Sequence, residues 1–138
     1  NASIADRLKL KLIPVLSWAQ AGQITEFEEL PEDWQSEIEY HGTDPKAFAV
    51  MIAGDSMEPK YSAGDIAVVS PTLAPSSGQK VIAKIREPKG FLFKLMNFIG
   101  DGDKAMIKLS SYNPMYEPMI YSRENIHWMY PVKHVIKP

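Results

Sequence analysis

The 138-residue sequence has no cysteine, which excludes a disulfide framework, a thiolate zinc site and a cysteine nucleophile. It has no surplus of charge of either sign. Fifteen Lys plus Arg against seventeen Asp plus Glu give a formal net charge of −2, too little cation to neutralise a phosphate backbone, so nucleic acid is not expected as a direct ligand. Long apolar runs are missing as well. The longest are about as short as residues 47–53, against the roughly 20 residues of a membrane-spanning helix, so no membrane partner is expected. No basic stretch leading into an apolar run and a cleavage site opens the chain, and the expected compartment is the cytoplasm. Histidine is scarce: His41, His127 and His134 stand apart without a neighbouring ligand or a telling acidic partner, so neither a metal site, a cofactor nor a histidine base is expected.

What the sequence does contain is 45% hydrophobic residues, enough for one core, cut into short pieces by eleven Pro and eight Gly. This spacing predicts a mostly β fold of short twisted strands with little helix. Strands are expected over residues 12–18, 47–52, 66–70, 80–86, 90–97, 105–109 and 126–135. Turns are expected at Ala63-Gly64-Asp65, Ser76-Ser77-Gly78, Pro88-Lys89-Gly90 and Gly100-Asp101-Gly102-Asp103. A helical turn or two, or equally a surface loop, fits residues 31–38, where Pro-Glu-Asp suits a helix start. Residues 1–11 read as a remnant of tag removal and an interdomain linker, and residues 12–138 as one domain.

The most informative stretch is Ala53-Gly54-Asp55-Ser56-Met57-Glu58-Pro59, between two apolar strands. A serine on a sharp turn can expose its hydroxyl while neighbouring backbone N–H groups face the same space, as an oxyanion hole requires. The ordinary reading of such a tripeptide is a polar turn. With histidine set aside, lysine is the available base. In Phe91-Leu92-Phe93-Lys94-Leu95-Met96 alternation gives Lys94 apolar company on both strand faces, and desolvation there would lower its pKa. An edge-strand lysine that discourages aggregation is the equal alternative. Lys84 competes, but shares its face with Arg86, which suggests a wet surface. Upstream, Ala21-Gly22 is a small, readily bent peptide bond between two apolar runs, and as a bare dipeptide it signifies only a turn.

In order and spacing, Ala21-Gly22, Gly54-Asp55-Ser56-Met57-Glu58-Pro59 with Gly64-Asp65, and Phe93-Lys94-Leu95 resemble the LexA-like family of self-cleaving repressors, including phage repressors of the lambda type. Ser111-Tyr112-Asn113-Pro114 with Tyr116-Glu117-Pro118 is similar to that family's C-terminal signature. The resemblance implies a β-rich catalytic and dimerisation domain of LexA-like or signal-peptidase-like fold. It implies Ser56 as nucleophile, Lys94 as neutral base, the backbone of Asp55 and Ser56 as oxyanion hole, and Ala21-Gly22 as the scissile bond. It further implies a homodimer, a RecA filament on single-stranded DNA as inducer in the response to DNA damage, and DNA contact only through an N-terminal helix-turn-helix domain that this sequence lacks. A UmuD-like accessory protein or a non-cleaving dimerisation module is the alternative. A type I signal peptidase shares the Ser-Lys pair but is disfavoured by the missing anchor and the internal Ala-Gly.

Overall fold

The computed structural model describes residues 11–24 and 36–138. Nine strands make up the sheet of the described residues: β1 (Lys11–Leu16), β2 (Ser36–Tyr40), β3 (Phe48–Met51), β4 (Ile66–Val69), β5 (Lys80–Ile85), β6 (Gly90–Ile99), β7 (Met106–Ser110), β8 (Met119–Tyr121) and β9 (Ile126–Ile136). Their spatial order is β2-β1-β3-β4-β9-β5-β6-β7-β8. Neighbours are antiparallel except β1 and β3, which run parallel. One short helix, α1 (Trp18–Gly22), follows β1. Single 3-10 turns lie at Gly102–Lys104 and Arg123–Asn125.

The long strand β9 holds the molecule together. It pairs with β4 along its C-terminal half and with β5 along its N-terminal half, with a register shift in each ladder. Such irregularities bend a strand, which lets one strand serve two halves of the sheet. Strands near the middle are buried on both faces. In β3, alternation sends Phe48 and Val50 into the main core and Ala49 into a second cluster with Ile13, Val15 and Val68. In β5, Ile82 joins the main core while Val81, Ala83 and Ile85 pack with Met96, Ile107 and Leu109 in a third.

All seven strands expected from the sequence are present, and two further ones flank the sheet. Most strand ends shift by one or two residues, and larger differences fall at the N-terminal side. Lys11, assigned to the linker, already pairs with Tyr40, while the first strand ends at Leu16, so that Trp18 opens a helix. The helical turn expected over 31–38 lies partly outside the described residues, and its last three positions belong to β2, where Ile38 pairs with Ile13. Pairing with β1 overrides the local acidic signal there.

Candidate active site

Ser56 lies in the turn after β3. Gly54 has φ of +82°, a conformation that glycine reaches without a Cβ clash, and it reverses the chain just before the serine. Met57 is 3% exposed, sunk in the main core, which stabilises by about 1.5–3 kcal/mol and pins the turn. Hydrogen bonds from Glu58 N to Asp55 O (3.1 Å) and from Tyr61 N to Met57 O (2.9 Å) complete it. Ser56 is left half-buried. Its hydroxyl, and the backbone N–H groups of Asp55 and Ser56, bond to no protein group among the described residues.

Lys94 stands in β6 opposite Val81 of β5 and is 3% exposed. Burial strips water from the ammonium and pushes its pKa below the ordinary lysine value. Its Nζ donates to Ser111 Oγ at 2.6 Å and lies 5.2 Å from the centre of the Tyr116 ring. Ser56 and Lys94 line one cavity of about 520 Å³, together with Trp18, Phe91, Tyr116 and Met119. The two residues singled out from the sequence therefore share one cleft, in which Lys94 bonds to Ser111. Ser111 had no role in the sequence reading beyond its place in a motif. Its signal is positional, because Ser110 pairs with Leu95 and the next residue falls beside Lys94.

The Ala21-Gly22 bond differs from the expected bend. It lies in α1, capped by a reciprocal pair in which Gln20 N donates to Ser17 Oγ (3.1 Å) and Ser17 N donates to Gln20 Oε1 (3.0 Å). Ala21 is fully buried in the main core. Gly22 lines a separate cavity with Lys84, Arg86 and Phe91, whereas Trp18, at the other end of α1, reaches the Ser56 cleft. Phe91 borders both and packs against Trp18 with the rings tilted, 4.4 Å between ring centres. A helical peptide with its donors and acceptors bonded and its side chain buried does not present its carbonyl to Ser56.

Lys84 also departs from expectation. Its face is not simply wet: Lys84 is half-buried, and its Nζ donates to Ile24 O at 3.0 Å. Trp128 Nε1 donates to the same carbonyl at 2.9 Å. Two donors thus hold the backbone just beyond Gly22. The three histidines are absent from the Ser56 cleft, and no group of three or more metal-binding side chains occurs among the described residues.

The family pattern described as Peptidase S24-like matches residues 14–132. The chain belongs to that family. It is 35% identical over 112 residues to the HTH-type transcriptional regulator for conjugative element SXT of Vibrio cholerae, covering 75% of this chain and 50% of that protein. It is 31% identical over 124 residues to the prophage repressor CohE of Escherichia coli (strain K12), covering 87% of this chain and 53% of that protein. It is 27% identical over 154 aligned positions to repressor protein C of Rhizobium phage 16-3, covering 96% of this chain and 54% of the repressor. This S24-like chain spans about half the length of the curated relatives it matches. The LexA-like resemblance carried by the motifs holds, and the β-rich sheet agrees with it. No helix of the described residues is long and apolar enough to cross a membrane.

Proposed function

We propose that this chain is the regulatory half of a transcriptional repressor that cuts itself between Ala21 and Gly22, with Ser56 as nucleophile and Lys94 as base. The observation that carries the reading is a single cleft lined by a turn serine and a buried lysine of lowered pKa, with the helix bearing Ala21-Gly22 packed at its wall. Neutral Lys94 takes the Ser56 proton, and the alkoxide attacks the Ala21 carbonyl. The N–H groups of Asp55 and Ser56 stabilise the oxyanion. Protonated Lys94 then donates to the departing Gly22 amine, and water releases the acyl group from Ser56.

Tethering supplies the substrate at high effective concentration, so control falls on conformation. For cleavage α1 must unwind and carry Ala21 from the core to Ser56. An activated RecA filament on single-stranded DNA acts, on this reading, by binding the unwound state more tightly than the resting one. The chain works in the cytoplasm as a homodimer, and operator DNA is held by a separate N-terminal helix-turn-helix domain of the kind named in its relatives. The test is incubation at pH 7 with and without the filament. Faster fragment formation with the filament is expected, and none in Ser56→Ala or Lys94→Ala. Cleavage persisting in either variant refutes the dyad, and indifference to the filament refutes that inducer.

A further inference from the structure

The segment 111–116 is docked on the nucleophile turn through bonds that the cleavage chemistry does not use. Asn113 N donates to Ser56 O at 3.0 Å, and Asn113 Nδ2 donates to Asp55 O at 3.0 Å. The Tyr116 hydroxyl donates to Asp55 Oδ1. The segment is itself folded into a tight turn, since Asn113 Oδ1 accepts from Met115 N at 3.0 Å and Asn113 O accepts from Tyr116 N at 3.1 Å. Three donors from one loop therefore converge on two consecutive residues, Asp55 and Ser56.

We infer that Asn113 and Tyr116 are positioning residues, which fix the Asp55–Ser56 peptide so that the serine hydroxyl and the two N–H groups keep the aim that acyl transfer requires. The inference rests on Ser56 acting as the nucleophile. The same loop begins at Ser111, the acceptor for Lys94, so one short segment touches both halves of the reacting pair. Without the clamp the turn keeps Gly54 and Met57 as its anchors and stays folded, but the peptide between them regains freedom. A misplacement of about 1 Å at a reacting group can cost roughly a hundredfold in rate. The clamp also resists alkaline conditions better than an unpaired tyrosine would. Its bond to the Asp55 carboxylate holds the Tyr116 hydroxyl protonated above the ordinary tyrosine range.

The test is a mutant cycle on self-cleavage, followed across pH to its alkaline plateau. Tyr116→Phe removes one hydroxyl from an exposed side chain and keeps the ring beside Lys94. Asn113→Asp keeps the acceptor for Met115 N and removes the donor to Asp55 O. Lys94 touches Ser111 and the Tyr116 ring and shares its cavity with Ser56, while the Asp55 carboxylate is bonded to the Tyr116 hydroxyl, so Tyr116→Phe removes no charge from the surroundings of the lysine. The expected result is a plateau lowered about tenfold to a hundredfold in each variant, with unchanged melting temperature and, in Tyr116→Phe, an unchanged midpoint. Asp55→Ala should slow cleavage to a similar degree, and Asp55→Ala combined with Tyr116→Phe should be no slower than the slower single variant. A parental plateau in Tyr116→Phe overturns the clamp. So does a shifted midpoint with the plateau kept, or a double variant whose loss is the product of the two single losses. A parent chain that stays intact at every pH, or a Ser56→Ala chain that cleaves, overturns the self-cleavage reading itself and the clamp with it.

Discussion

A lysine removed from water is the residue on which the account turns. The alternation around Lys94 was legible because Phe91, Leu92, Phe93, Leu95 and Met96 leave it no polar side to face. Its partner Ser111 was not, because that contact depends on the register between β6 and β7, which no local pattern encodes. The lowered pKa has a consequence for stability. In the unfolded chain Lys94 regains an ordinary pKa near 10.4, so between its folded pKa and that value the unfolded state binds more protons. The cost of burying the cation is therefore full below the folded pKa and fades as pH rises towards the unfolded one. Lys94→Met should abolish cleavage yet raise stability at neutral pH, by about 1.4 kcal/mol for each unit of pKa depression, with the gain shrinking towards pH 10. Denaturant melts at several pH values check this. A gain that grows with pH would mean that the lysine is held charged.

At the scale of elements, α1 is the part of the molecule that the proposed cleavage at Ala21-Gly22 requires to change. The sequence read Ala21-Gly22 as a bend, although Ser17-Trp18-Ala19-Gln20 carries the Ser-x-x-Gln spacing of a capping box, and that cap makes the segment helical. The flanking strands β2 and β8 escaped sequence reading for a different reason. Ile38 and Tyr40 are set among acids in β2, and β8 has only three residues, so neither shows a full period. Two predictions belong to α1. Ser17→Ala removes the cap at a cost of about 1 kcal/mol to the helix, and where unwinding precedes chemistry self-cleavage should quicken about fivefold. Lys84→Ala releases one of the two donors on Ile24 O and should act in the same direction. First-order rates of fragment formation decide, and slower cleavage in both would show that α1 assists the reaction. Gly22→Val should fold normally, since a Cβ there meets Phe91 at no less than 3.6 Å, while the branched side chain blocks entry into the cleft. Unfolding of this variant, seen by circular dichroism, would assign Gly22 a structural role.

In the whole molecule the sheet gathers the parts of the candidate site. β3 delivers the serine turn, β6 the lysine and β7 the loop that braces both, all on strands tied together through β9. On the proposed mechanism only the segment after β1 leaves its place, and Trp18 of that segment already lines the Ser56 cleft. The central claim is that this rigid frame cuts its own chain once α1 unwinds. It is tested most directly by weighing the purified chain after incubation at a series of pH values from 7 to 10, beside Ser56→Ala. The account predicts two fragments, one ending at Ala21 and one beginning at Gly22, which form faster as pH rises and never form in the variant. Fragments from another bond, a rate that falls with pH while the fold persists, or the same fragments from Ser56→Ala would contradict it.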